Sequence, residues 1–310
     1  MKRSKIILLG PQRTAPNVAA AVSSLGVTGR VAAITAGWEE REEEDSELEQ
    51  HLEGRSLNLR LFQRAERVFE RDPELFEAMR TRYDTLRELQ DIYRLRLGYA
   101  LGAARDLLAR EGDDDLLEPA REAAIDSVRR LDAHHAGRVG EIHAEFEQRW
   151  RPGERDSVAR EREEVAGVLA DCEALCIAGG HVAILLNRMR LFDPLAAWKS
   201  KPIVAWSAGA MVLAERIVLF HDSPPQGAGN AGVLGAGLGL CQGILPLPHA
   251  RSRLRLEDAT RVGLFARRFS PNMCVALDQG ARIEGDGEHW VAVEGTRRLS
   301  ADGQVVEVAA

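Results

Sequence analysis

Cysteine is scarce in this chain of 310 residues: Cys172, Cys176, Cys241 and Cys274 are the only four, with no C-x-x-C pair and no histidines at ligand spacing. That pattern signals neither a zinc site nor a disulfide framework, and it fits a reducing, cytoplasmic address. Long apolar runs are also missing. Near the N-terminus Lys2, Arg3 and Lys5 precede only Ile6, Ile7, Leu8 and Leu9 before Gly10 and Pro11 intervene, too short a run for a signal-peptide core. No other stretch is long enough to span a bilayer, so no membrane partner is expected. Basic excess is absent as well: 41 Lys and Arg stand against 48 Asp and Glu, a net charge of −7, which argues against a dedicated nucleic-acid binder. No internal repeat is evident.

What is present is ample core material, 45% hydrophobic against 29% charged residues, which excludes global disorder. The length is large for one ordinary domain and small for two, so one domain carrying an extra piece is the simplest division.

Short apolar runs ending in glycine or small residues open the chain. Residues 6–9 read as a buried strand, 18–25 as a helix, 30–35 as a second strand and 57–62 as a third, the start of a mostly parallel α/β sheet with flanking helices. Between them, the acidic stretch 38–52 reads as a solvated helix. The texture then changes. Over residues 63–164 charges become dense and apolar positions recur at three- and four-residue steps: Phe76, Met79, Tyr83, Leu86, Gln90, Tyr93, Leu97, Ala100, Ala104 and Leu107, then Ile125, Val128, Asp132, His135, Val139, Ile142 and Phe146. Such seams belong on two long helices, joined near Gly112 and closed by Pro152-Gly153 as a hairpin inserted into the α/β domain of residues 1–62 and 165–310. The seams pack within the hairpin or against a second subunit, so a homo-oligomer, most simply a dimer through the insertion, is expected. His134, His135 and His143 do not add up to a metal site, because only His135 and His143 share a face and Asp132 is the only carboxylate on that seam. No metal or cofactor is expected.

The sheet resumes at 174–177, running into Ala178-Gly179-Gly180, then a helix over 182–189 and a strand over 202–205. That strand leads directly into Trp206-Ser207-Ala208-Gly209-Ala210 and the helix-like residues 211–216. A strand-to-helix elbow holds a nucleophile in a tight turn, exposes its hydroxyl above the sheet and aims N–H groups at developing negative charge. Alanine stands two residues before Ser207 where G-x-S-x-G has glycine, so a serine merely capping a helix is the alternative. A glycine at the end of the preceding strand lets a main-chain N–H approach a reacting carbonyl; with the N–H of Ala208 it completes an oxyanion hole. His249, in Leu245-Pro246-Leu247-Pro248-His249, is placed to serve as general base.

Together these pieces resemble the serine peptidase family of dipeptidase E (aspartyl dipeptidase) and cyanophycinase, whose fold is like a class I glutamine amidotransferase. The resemblance rests on Ile177-Ala178-Gly179-Gly180-His181, Trp206-Ser207-Ala208-Gly209-Ala210, Pro248-His249 and Ala276-Leu277-Asp278-Gln279-Gly280, and spans residues 172–294. It implies Ser207 as nucleophile, His249 as base and the N–H groups of Gly180 and Ala208 as oxyanion hole. It also implies Arg253 and Arg255, four and six residues beyond the histidine, as pocket arginines for an acidic substrate group, since guanidinium binds carboxylate through paired hydrogen bonds. His181 falls in the same substrate-binding set, standing where dipeptidase E commonly has asparagine.

The sequence departs from the family at its third catalytic position, where Gln279 replaces a glutamate. An amide orients an imidazole without stabilising its charged form, and such a replacement in a serine protease costs about four orders of magnitude in turnover. Asp278 is the candidate substitute, although neighbours on an extended segment point to opposite sides. The expected function is therefore a hydrolase cleaving an amide bond beside an acidic residue in a small peptide. A weak or inactive relative that works in assembly or partner binding through its hairpin is the alternative, and hydrolysis of a non-peptide amide is a third. A G-x-G-x-x-G match at residues 227–232 follows Pro224-Pro225 instead of a strand and precedes more glycine instead of a helix, so it reads as a loop near the site.

Overall fold

The computed structural model describes residues 4–198, 200–220, 229–293 and 295–308. The first part of the chain runs β1 (Ile6–Leu9), α1 (Val18–Ser24), β2 (Arg30–Ile34), α2 (Ser46–His51), β3 (Ser56–Asn58) and α3 (Leu61–Arg71). Two long helices follow, α4 (Pro73–Ala109) and α5 (Asp114–Trp150), then α6 (Asp156–Ala170), β4 (Cys172–Ile177), α7 (Val182–Phe192), α8 (Pro194–Trp198), β5 (Ile203–Trp206) and α9 (Ala208–Leu213). The remainder comprises β6 (Arg216–Leu219), β7 (Gly232–Ala236), β8 (Ile244–Pro248), α10 (Ala250–Arg253), α11 (Ala259–Phe269), β9 (Met273–Leu277), β10 (Arg282–Gly285), β11 (Trp290–Ala292), β12 (Arg297–Leu299) and β13 (Val305–Glu307).

The main sheet has seven strands in the order β11-β10-β1-β5-β4-β2-β3, with β1, β5, β4, β2 and β3 parallel and the β10-β11 pair antiparallel at one edge. Its central strands β1 and β5 are apolar at every position because both faces are covered. Successive residues go to opposite sides: Ile6, Leu8, Ile34, Ile177 and Ala205 belong to one core, Ile7, Leu9, Val31, Cys176 and Trp206 to the other. Helices α1 and α2 close the smaller core with Val18, Val22, Leu48 and Leu52. All four cysteines are buried and unpaired.

The acidic stretch is not one solvated helix. It forms a helical turn at Ala36–Arg41, broken at Glu39 with φ 60°, and then α2. Within it Glu42 is fully buried, and its carboxylate accepts the N–H groups of Phe62 (3.1 Å) and Gln63 (3.0 Å) at the start of α3. That cap explains why the third strand stops at Asn58: Leu61 and Phe62 are already the first turn of a helix whose free N–H groups have found a carboxylate.

The hairpin of α4 and α5 lies along the body and is tied to it at three levels. At the base Asp72 caps α4 and grips Arg155 through Oδ2–Nε (2.5 Å) and Oδ1–Nη2 (2.7 Å). Midway, Gln90 and Tyr93 hydrogen-bond to the backbone of Val233 in β7. Toward the turn, Arg267 of α11 pairs with Glu118 and Glu122 of α5. The expected seam is buried at Gln90, Tyr93, Leu97 and Ala104, and at Ile125, Val128, Asp132, His135, Val139 and Phe146; Phe76 and Tyr83 remain exposed, and Leu75 fills the core position there. The stretch 63–164 also holds most of α3 and half of α6, so the hairpin proper is α4 with α5. No helix among the described residues is long and apolar enough to cross a membrane.

A second sheet, β13-β12-β9-β8, carries β8 at its edge, the position where Pro246 and Pro248 cost no ladder hydrogen bond. Its β8-β9 pair is parallel, with Pro248 opposite Leu277.

Candidate active site

Ser207 follows β5, the central strand of the seven-stranded sheet, at the carboxyl ends of the parallel strands, where open α/β sheets bind ligands. Its backbone is at φ 50°, ψ −121°, a conformation that side-chain-bearing residues rarely adopt and that costs about 1–3 kcal/mol. Helix α9 begins at the next residue, and the Ser207 hydroxyl does not cap it. A serine serving only as a cap would have an extended backbone and an N–H bonded to its oxygen. Here the turn is strained and the hydroxyl is left uncapped.

The loop after β4 abuts this turn. A Cβ at Gly179 would stand 2.8 Å from the Ser207 Cβ, so only glycine allows the approach. Gly180 is at φ +107° and packs on the Gly37 backbone, while the Gly37 carbonyl accepts the N–H of His181 at 2.6 Å. Among the described residues the N–H groups of Gly180 and Ala208 have no acceptor. Gly180, Ser207 and Ala208 line one cleft of about 1160 Å³, together with Gly37, Trp38, His249 and Arg253.

His249 reaches the cleft from the other sheet. It is left-handed, φ 59° and ψ 33°, at the start of α10, and its N–H donates to the Leu277 carbonyl at 3.2 Å. Parallel pairing in register places the residue after Pro248 beside the residue after Leu277, which is Asp278. The Asp278 carboxylate accepts the Arg251 N–H at 2.9 Å, and its charge acts on His249. Burial, then the Arg253 charge, hold the imidazole below its usual value of 6.5, and Asp278 works in the opposite direction. Gln279 lies one residue on, exposed in a turn, and does not line the cleft.

The two expected pocket arginines separate. Arg253 is half-buried in the Ser207 cleft with no side-chain partner among the described residues, and burial pulls it below the ordinary arginine range. Arg255 lines a smaller neighbouring cavity with Leu101, Leu254 and Phe265, beyond a wall at Asn230 that both spaces share. His181 caps α7, its Nδ1 accepting the Ile184 N–H at 3.2 Å, outside the cleft lining. Of the G-x-G-x-x-G match, Gly227 and Ala228 lie outside the described residues; Gly229 lines the cleft, and Gly232 opens a strand instead of a helix.

Other lining residues lie outside the glycine, serine and histidine motifs. Arg94 and Leu97 of α4 form part of the wall, as do Arg13, Arg41, Glu44 and Glu47. Among the described residues no three metal-binding side chains converge. His135 instead stacks on Tyr93, ring centroids 4.0 Å apart, and its Nε2 shares a hydrogen bond with Gln90 at 3.0 Å.

No protein-family model matches the sequence, and no curated protein is significantly similar to it. Among solved structures the chain is similar in fold to a peptidase from an acI-B1 Actinobacterium, with a TM-score of 0.50 and 13% identity over 99% of this chain and 97% of that one.

Proposed function

We propose that the protein is a serine hydrolase that cleaves an amide bond beside an acidic residue in a small peptide. The observation that carries this reading is the strained backbone of Ser207, φ 50°, held above the sheet in the cleft that His249 also lines. The fold likeness to a solved peptidase supports it. In this reading the Ser207 Oγ attacks the substrate carbonyl while His249 takes its proton, and the N–H groups of Gly180 and Ala208, without an acceptor among the described residues, hold the oxyanion. Collapse breaks the C–N bond as His249 returns the proton to the leaving amine. Water, deprotonated by the same imidazole, then releases the acyl group. Asp278 supports the imidazolium electrostatically in place of the family glutamate, which Gln279 cannot do from its exposed turn. Arg253, half-buried and unpaired among the described residues, receives the substrate carboxylate.

A fluorophosphonate probe tests this directly. Labelling that disappears in Ser207→Ala supports a hydrolase, whereas folded protein that never labels favours the weak or inactive relative. Hydrolysis of α-aspartyl dipeptides compared with β-Asp-Arg then divides the substrate classes.

A further inference from the structure

We propose that Arg94, on the helical hairpin, is a specificity-determining residue of the Ser207 cleft, receiving a second carboxylate on a peptide whose first acidic group is held by Arg253. This rests on the hydrolase reading above and adds the hairpin to its substrate site.

Four observations converge on it. First, Arg94 and Leu97 line the same cleft as Ser207, His249 and Arg253, so α4 is a wall of the site as well as a structural brace. Second, the turn of α4 that carries them is fixed from behind. The Tyr93 hydroxyl donates to Asp132 (2.7 Å) and accepts the Val233 N–H (3.0 Å), and the Gln90 amide donates to the Val233 carbonyl (3.2 Å). Arg268 braces Asp132 from α11 and also holds the Ala231 carbonyl at 2.7 Å. The backbone that carries Arg94 is thereby fixed at the cleft wall, which lowers the ordering cost of binding to that of the side chain alone.

Third, the Arg94 guanidinium is available. It is 59% exposed, and its partner is Asp91 on its own helix at 3.5 Å, itself 64% exposed. Such a surface pair contributes little and exchanges readily for a better-placed carboxylate. Fourth, among the described residues the cleft lining carries more cations than carboxylates: Arg13, Arg41, Arg94 and Arg253 against Glu44 and Glu47, with Arg41 taken up by Glu44 at 2.5 Å. Against a chain charge of −7, a basic cleft points to an anionic ligand. At about 1160 Å³ the space also exceeds the roughly 300–1,000 Å³ of ordinary small-molecule pockets, enough for a substrate extending past its scissile residue. Guanidinium binds carboxylate through a two-point fork, so Arg94 selects for the charge's position as well as its sign.

The test compares an aspartyl dipeptide amide with its tripeptide amides extended at either end by glutamate or by glutamine. The wild type should prefer a glutamate extension over glutamine at one end, through KM. Arg94→Ala should erase that preference through a roughly tenfold rise in KM for the glutamate peptide, and Arg94→Glu should invert it. Arg96→Ala, an exposed arginine of the same helix outside the cleft lining, should leave the preference intact. Equal KM changes for glutamate and glutamine peptides, or none, in Arg94→Ala would overturn the proposal, since Arg94 is exposed and its loss should not unfold the protein. Calorimetry of the same peptides on Ser207→Ala separates the two ideas. Binding that depends on Arg94, with no cleavage by the wild type, sinks the hydrolase reading alone; cleavage indifferent to Arg94 sinks the specificity role alone.

Discussion

Arg268 and Asp132 face each other across the hairpin and α11 as a two-point pair, Nε to Oδ2 at 2.6 Å and Nη2 to Oδ1 at 2.7 Å, with side chains 2% and 1% exposed. Removing one member strands the other charge in the interior. Asp132→Ala should therefore destabilise the protein by about 3–5 kcal/mol, read from the midpoint of urea unfolding. The double variant Asp132→Leu with Arg268→Met should recover part of that loss; a double variant as unstable as the sum of the singles would mean that the pair holds nothing together.

Gly179 makes a local prediction of a different kind. Because a Cβ there would stand 2.8 Å from that of Ser207, Gly179→Ala must shift the nucleophile or its own loop. Displacement of about 1 Å at a reacting group costs on the order of 100-fold in rate. The variant should fold with an unchanged circular dichroism spectrum while its labelling rate by fluorophosphonate falls by that order. Labelling at the wild-type rate would show that Ser207 is not held against Gly179 in the reactive state.

Local signals account for much of what was legible in the sequence. Apolar runs closed by glycine or small residues mark β1, β2, β4 and β5 to within a residue or two, because the stretches buried on both faces are apolar. The placement of Ser207 after β5 follows from the same pattern. Glu42 was hidden because an acidic run reads as solvated; only the fold brings the start of α3 within its reach. Arg94 was hidden for a like reason, since nothing in a helical seam tells which exposed residue beside it faces a cleft built by distant strands. The nearness of Asp278 to His249 depends on the register of β8 against β9, which a one-residue shift would have changed.

At the hairpin base, Asp72 caps α4 and binds Arg155, and the Arg155 hydrogen bonds hold its carboxyl below the usual 3.8. A carboxyl whose folded value is depressed lends stability above its unfolded value and withdraws it as pH falls through the folded one. Asp72→Asn should thus cost about 1 kcal/mol at neutral pH, discounted for the partial exposure of the pair, and the gap from wild type should close below pH 3.8. Thermal melts at neutral and strongly acidic pH check the sign. A gap that persists or widens in acid would assign the effect to packing instead of charge.

His249 carries the final prediction. In the proposed hydrolase the general base must be neutral, and burial together with Arg253 lowers the proton affinity of His249 below the ordinary 6.5 while Asp278 raises it. The acid limb of kcat/KM should therefore lie below pH 6.5 in the wild type. Removing the neighbouring cation in Arg253→Ala lets the imidazole hold its proton to higher pH, so the limb moves up. Removing the anion in Asp278→Asn moves it down, and it also lowers turnover, because the imidazolium formed as Ser207 attacks loses its counter-charge. Gln279→Ala, in the exposed turn, should leave the limb in place. A limb that moved with Gln279 and ignored Asp278 would return the third catalytic position to the residue that the motif resemblance implies, and would require the turn after β9 to close onto His249 during the reaction.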